Sequence, residues 1–347
     1  MKKVLICGAF GFENMDTGGQ PVKTRELYYG LQEHLGEDQL DYIETAGWKH
    51  HPVRLLGQFL KKAHDAKNII MLPAHKGVIV FSRLLKISKR LNHNKIFYDV
   101  IGGWLPEKVE KDTKLKEILS GFDGIWVETT IMKNRLTSSG LKNVTVVRNF
   151  KNLKPVEIGE FENNHGDELR LCMFSRVMKE KGIEDAIQAV KEITEKQTKK
   201  IILDIYGAID SGYQERFEEI KEDLPVYIRY KGVVAPSNSV ETLKVYDALL
   251  FPTRFKTEGL PGTIIDAYAA GIPVISAKWE SFQDIVDDGR TGIGYTQNDY
   301  SALMDSLLWV CNNPEKLREM KQNCIGKACE FMRSNVIKKL VDEAKFK

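Results

Sequence analysis

Two groups of side chains in the second half of the chain have the types and spacing to act on a charged small molecule. The first lies in the segment 250–276, which carries Glu258 and, eight positions later, Asp266, with Gly259, Leu260, Pro261, Gly262 and Thr263 between them. The segment parses as strand, loop, helix, turn and strand, with Pro261 suited to a first helical turn, Gly271 to the position after a helix end, and Pro273 to the break that follows. Glu258 is therefore expected in a loop and Asp266 on the helix behind it. Two carboxylates so placed would serve a general acid and base or part of a metal site, although no histidine is near enough in sequence to support a metal. Small residues let a ligand approach the backbone, and the N–H groups of a helix start favour an anion.

The second group is Arg176 and Lys181, followed by Gly182, where a strand gives way to a helix. Two fixed cations there would stabilise negative charge on a departing phosphate without a metal, unless they only line a solvated loop. Three further sites could face the same kind of ligand. Val233 and Val234 follow Gly232 at an expected strand end, where a glycine lets the chain pass close to a flat ring. Gly18 and Gly19 precede the first helix, and Asp99, Gly102 and Gly103 follow a strand in the first half. Taken singly, each of these has an ordinary reading as a turn, a cap or a strand end. The first loop is neither a P-loop, since no Gly-Lys-Ser/Thr follows, nor a dinucleotide fingerprint.

Short apolar runs alternate with helical patterns along the whole sequence. Strands are expected at 3–7, 68–72, 95–99, 124–128 and 144–148, then at 169–175, 200–207, 226–230, 248–252, 273–277 and 292–295. Between the two series lies a polar stretch without periodicity, about 151–168, which reads as a linker. Such alternation specifies α/β architecture with parallel sheets covered on both faces. Two such sheets in series predict two Rossmann-like doubly wound domains facing each other across an interdomain cleft, at 1–160 and 161–325, with a C-terminal helix at 326–347 that could cross back to the first domain.

A chain of 347 residues suits two cores better than one. Its start carries only a short apolar run and reads as a strand, and no window is apolar enough for a membrane helix. Cys7, Cys172, Cys311, Cys324 and Cys329 are odd in number and lack histidines at metal spacing, so reduced thiols in a cytoplasmic protein are expected. The net charge is only +3, but between Lys49 and Lys95 eleven basic residues meet one acid, Asp65. That segment would attract an anionic surface, a phosphate-bearing lipid or a nucleic acid, or would simply present the solvated faces of two amphipathic helices.

The Glu258 segment resembles the donor-site signature of the family 4 retaining glycosyltransferases, enzymes of the GT-B fold. The resemblance implies that Glu258 lies near the hydroxyls of a donor sugar and that Asp266, one methylene shorter than the family's second Glu, makes an altered or water-bridged ribose contact. It implies that the backbone of residues 259–263 holds sugar and diphosphate, that Arg176 and Lys181 bind the diphosphate, and that residues 230–234 pass the base. The loop at Gly18 and Gly19 corresponds to one often found near the scissile bond. Many members carry a His close to Asp99; this chain has none there, so that role stays unassigned. The implied substrates are a nucleotide-diphosphate sugar and a saccharide or lipid-linked saccharide acceptor, as in bacterial capsule or exopolysaccharide assembly. No metal, cofactor or nucleic acid is expected, and residues 49–95 would meet an anionic membrane at its inner face. A GT-B epimerase and a non-catalytic sugar-binding protein would share the architecture.

Overall fold

The computed structural model describes residues 2–12, 18–74, 76–157, 168–196, 200–255 and 257–346. The chain forms two compact units. One comprises Met1–Asn152 with Phe331–Lys347, and the other is Leu153–Glu330.

In the first unit the strands are β1 (Lys2–Gly8), β2 (Leu40–Glu44), β3 (Ala66–Met71), β4 (Lys95–Asp99), β5 (Gly124–Val127) and β6 (Val144–Val146). They form one parallel sheet in the order β2-β1-β3-β4-β5-β6. Successive side chains of a strand point to opposite faces, and here both faces are covered. Leu5 and Cys7 belong to one hydrophobic cluster, whereas Val4 and Ile6 belong to another on the far side. Central strands such as Gly124–Val127 are buried along their whole length, the pattern of a parallel sheet under helices.

β2 has no counterpart among the expected strands. Only Leu40 and Ile43 of its five residues are buried, it lies at the sheet edge, and its two acids dilute the apolar signal. The helix Arg333–Ala344 belongs to this unit. It lies against the helix Gly19–Leu35 so closely that a Cβ on Gly30 would come within 2.6 Å of Ile337. Phe346 meets the Phe97 ring edge-on at 5.6 Å, and Lys95 Nζ donates to the Lys345 carbonyl at 2.7 Å.

The second unit contains β7 (Glu168–Phe174), β8 (Lys200–Tyr206), β9 (Ile228–Gly232), β10 (Ala248–Phe251), β11 (Val274–Lys278) and β12 (Gly292–Thr296). They also form a parallel sheet, in the order β12-β11-β10-β7-β8-β9. Both units are thus doubly wound α/β structures. Helix starts follow local chemistry, as where the Asp299 carboxylate accepts the Ala302 N–H at the head of Tyr300–Asn312. Neighbours in the sheet decide which loops meet at its carboxyl edge, the place where open α/β sheets bind ligands.

Candidate functional site

β7 and β10 are adjacent, so the loops that leave their carboxyl ends are forced together. Lys181, in the 3₁₀ turn Lys179–Lys181 after β7, places its Nζ 2.8 and 2.6 Å from the two carboxylate oxygens of Glu258, in the loop after β10. Both side chains are mostly buried, at 14% and 12% exposure, and the rings of Phe251 and Phe255 lie 5.2 and 5.5 Å from the ammonium. Desolvation of this kind strengthens a charge pair and fixes its geometry.

Two contacts hold the two loops in register, and a third stiffens the loop after β10 itself. Gly182 has φ +70°, and a Cβ there would lie 2.1 Å from the Pro252 carbonyl oxygen, so only glycine permits this approach. The Arg254 N–H donates to the Glu180 carbonyl at 2.7 Å, and its guanidinium forks onto Asp185 at 2.8 and 2.6 Å. The Thr253 hydroxyl, fully buried, donates to Glu258 Oε2 at 3.1 Å and accepts the Phe255 N–H at 3.2 Å. Thr253 was not among the expected site residues; its only sequence signal is a small hydroxyl residue at the head of the Glu258 loop.

Arg176 also leaves the end of β7 but turns the other way. It is exposed, and its guanidinium lies 3.5 Å from Asp210 in the loop after β8. Lys181 therefore contacts the loop on one side of β7 and Arg176 the loop on the other, and only Lys181 is joined directly to Glu258. At the next strand along, Gly232 ends β9 with φ +78°, and its carbonyl accepts the Gly207 N–H at 2.9 Å. Val233, just beyond, is 58% exposed, and Val234 is half-buried.

The helix Gly262–Ala269 starts one residue later than expected, because Pro261 takes the cap position with extended ψ 125°. Gly271 does have φ +70° after its end. Leu260 is buried, the Gly259 carbonyl accepts the Trp279 indole N–H at 3.3 Å, and the buried Thr263 hydroxyl has no hydrogen-bond partner among the described residues. Asp266 faces inward at 1% exposure and accepts a hydrogen bond from Ser239 at 2.9 Å. It lies on the helix Gly262–Ala269 and meets the first residue of the helix Ser239–Leu243.

In the first unit Gly18 caps the helix Gly19–Leu35, and a Cβ on Gly19 would meet nothing within 4 Å. Asp16 and Thr17 lie outside the described residues. Asp99 is fully buried at the end of β4 and forms an ion pair with Lys23 at 3.0 Å; Lys23 also donates to Glu128 at 3.1 Å. The Gly102 N–H donates to the other Glu128 oxygen at 3.3 Å, and Gly103 sits in the adjoining turn. Burial raises the Asp99 carboxyl above its usual range, with Lys23 opposing. Burial also pulls the Lys23 ammonium down, but Asp99 and Glu128 together outweigh it and hold its pKa above the ordinary value. Neither Lys23 nor Glu128 was singled out in the sequence, where a lysine inside an amphipathic helix has no mark of burial.

Among the described residues no three or more His, Cys, Asp or Glu side chains are grouped to hold a metal ion. No helix of the described residues is long and apolar enough to cross a membrane. Of the basic segment, Lys62 pairs with Asp41 at 2.8 Å and Lys89 with Asp123 at 2.6 Å. Lys61, Arg83, Lys86 and Arg90 are exposed and have no ion-pair partner among the described residues.

Residues 157–326, which contain Arg176, Lys181, Glu258 and Asp266, match the family model described as glycosyl transferases group 1. This segment belongs to that family. The group 1 glycosyltransferase match agrees with the family 4 resemblance carried by the same residues. Similar curated proteins include the alpha-monoglucosyldiacylglycerol synthase of Acholeplasma laidlawii, 26% identical over half of this chain and 45% of its own length. The capsular polysaccharide biosynthesis glycosyltransferase CapM of Staphylococcus aureus is 25% identical over 54% of this chain and 52% of its own. The chain spans about half the length of the curated relatives it matches. Among solved structures, Anabaena Alr3699/HepE in complex with UDP is similar with TM-score 0.79 and 14% identity, covering 99% of this chain and all of that one. The sucrose-phosphate synthase of Thermosynechococcus elongatus has TM-score 0.78 and 15% identity, covering 99% and 98%. The fold is therefore the two-domain α/β GT-B type that the resemblance implied.

Proposed function

We propose that this protein transfers a sugar, with retention of anomeric configuration, from a nucleotide-diphosphate donor to a saccharide or lipid-linked saccharide. The observation that carries the reading is the Lys181–Glu258 contact at the carboxyl ends of β7 and β10, inside the segment that belongs to the group 1 family. The sheet order supports a pose for the donor along this edge. The base lies by Gly232, Val233 and Val234 after β9, the diphosphate by Arg176 and Lys181 after β7, and the sugar by Glu258 after β10. Residues 259–263 close over the sugar and diphosphate, and a ribose contact at Asp266 is shared with the Ser239 hydroxyl.

Lys181 has three N–H donors, and its two contacts with Glu258 leave one for a phosphate oxygen. As the bond from the anomeric carbon to the phosphate oxygen breaks, the diphosphate gains negative charge, which Lys181 and Arg176 stabilise without a metal. The acceptor oxygen bonds to the anomeric carbon on the face the diphosphate leaves, and its proton passes to a phosphate oxygen. Glu258, fixed by Lys181 and Thr253, orients the sugar hydroxyls.

The acceptor belongs to the first unit, near Gly18, Gly19, Gly102 and Gly103, and work at the inner face of a membrane suits the basic helices. Val53, Leu56 and Leu60 on the helix Pro52–Asp65 are 83%, 40% and 56% exposed, and Ile87 and Leu91 on the neighbouring Lys76–Asn92 are 53% and 71% exposed. With Lys61, Lys86 and Arg90 these make an apolar and basic face suited to anionic lipid. The names of relatives that synthesise glycosyldiacylglycerols point the same way.

Incubation with UDP-, GDP-, ADP- and TDP-sugars should raise the melting temperature for one class of donor. Glu258→Ala and Lys181→Ala should each lower transfer by at least a hundredfold in a folded protein, and near-normal turnover in both would reject the site. Sedimentation with anionic vesicles should be lost on neutralising Lys61, Lys86 and Arg90; equal binding to neutral vesicles would remove the membrane role.

A further inference from the structure

A pocket of about 580 Å³ opens in the first unit beyond the carboxyl ends of β1 and β2, and none of the groups assigned above uses it. Its size lies within the ~300–1,000 Å³ range of small-molecule sites. We propose that it binds a saccharide bearing a carboxylate or phosphate group, as the part of the acceptor that sets specificity. The acceptor role rests on the transfer reading; the binding does not.

Aromatic rings form one side. Phe12 meets Tyr42 edge-on at 5.4 Å, and Trp48 is braced edge-on against Phe81 at 6.3 Å, so these rings are held in place before any ligand arrives. Flat rings with a polar neighbour suit the C–H face of a pyranose. Beneath them the Glu44 carboxylate accepts the N–H groups of Phe10, Gly11 and Ala46 at 2.8–3.1 Å, tying the loop after β1 to the loop after β2. Gly11 and Gly47, one in each loop, have φ +59° and +65°, turns that a side chain would strain.

Among the described residues the charge that remains at the mouth is positive. Asp41 is neutralised by Lys62, and Glu44 is engaged by backbone amides. Arg54 and His51 line the pocket and are exposed, and their side chains have no ion-pair or hydrogen-bond partner among the described residues. Lys49 sits 6.0 Å from the Trp48 ring centre. A guanidinium free to fork onto two oxygens beside an aromatic wall selects a carbohydrate that carries an oxyanion. The pocket residues His51, Arg54, Leu55 and Gln58 recur at helical spacing on one flank of Pro52–Asp65, whereas Val53, Leu56 and Leu60 lie on the opposite flank. One helix therefore separates the lipid-facing surface from the saccharide pocket.

Isothermal titration of the full chain with cellobiose, a glucuronic-acid-containing disaccharide, glucose 6-phosphate and inorganic phosphate tests this. The two anionic sugars should bind at least tenfold tighter than cellobiose, and the tighter of them identifies the oxyanion. Arg54→Gln should abolish the difference, Arg54→Lys should restore part of it, and Trp48→Ala should weaken all three sugars. Equal affinity for neutral and anionic sugars overturns the proposal, as does an unchanged Arg54→Gln. Inorganic phosphate binding as tightly as the sugar phosphate overturns it too, since that describes an anion site without carbohydrate recognition. Binding of nucleotide sugars to the wild-type chain is measured separately. Its absence, with anionic-sugar binding intact, defeats the transfer reading alone; its presence, without anionic discrimination, defeats only the pocket.

Discussion

Replacing Lys23 by Met should destabilise the first unit strongly and in a pH-dependent way. The ammonium lies 3.0 Å from Asp99 and 3.1 Å from Glu128, and all three side chains are at most 3% exposed. At an effective dielectric near 20, each contact is worth roughly 5 kcal/mol before desolvation. Met fills similar volume but leaves two carboxylates buried without a cation, and breaking such a group costs about 3–5 kcal/mol. That is a large fraction of the ~5–15 kcal/mol that holds a typical domain together and corresponds to a melting temperature lower by on the order of 10 °C.

The sign with pH follows from the two shifts. Asp99 titrates above its ordinary value in the fold, so its contribution is full below about pH 4 and is lost as pH rises through the folded value. Lys23 is held above its ordinary value, so its contribution persists through neutrality and fades only in strong alkali. Without Lys23, whose charge opposes the upward shift of Asp99, that carboxyl must take up a proton to stay buried, so the loss should be greatest at pH 8 and should shrink by pH 5. Urea unfolding followed by circular dichroism at the two pH values measures this. The double variant Lys23→Met with Asp99→Asn should recover at least half of the loss at pH 8. A cost under 1 kcal/mol at pH 8, or the same cost at both pH values, would refute the account.

Thr253→Val keeps the shape beside Glu258 but removes the hydroxyl that positions it. Transfer should fall about tenfold through kcat with little change in donor binding, as steady-state kinetics would show. Gly182→Ala forces a Cβ into the Pro252 carbonyl and should destabilise the second unit by more than ~1 kcal/mol, read from urea unfolding. Of the five thiols only Cys329 is exposed, and burial pushes the Cys7 thiol up to about 12. Ellman's reagent should therefore modify one thiol per chain quickly at pH 8 and the other four only after denaturation.

Eleven of the twelve strands were legible because parallel strands buried on both faces read as apolar runs bounded by turn residues, whatever lies around them. β2 escaped because an edge strand is only partly covered: Leu40 and Ile43 alone are buried, and Asp41 and Glu44 interrupt its run. The meeting of Lys181 with Glu258 is not written in either segment. It depends on β10 pairing with β7 although 73 residues separate their ends, and sheet order is a property of packing. Spacing marked Lys181 and Glu258 as candidates; it gave no reason for Arg176 to turn toward Asp210 or for Asp266 to turn inward to Ser239. Lys23 and Glu128 stayed hidden for a related reason, since a buried ion cluster looks in sequence like any charged residues until the third dimension removes the water.

The contact between Gly30 and Ile337 bears on how the protein is made. The first unit is discontinuous: residues 331–347 complete it, and they leave the ribosome only after residues 153–330 have been synthesised. The second unit, continuous in sequence, can mature while its companion still lacks a wall over Leu27, Leu31 and Phe97. During that interval the nascent chain carries an uncovered apolar stripe, so chaperone capture and aggregation in vivo should be governed by arrest or truncation before residues 331–347 are made.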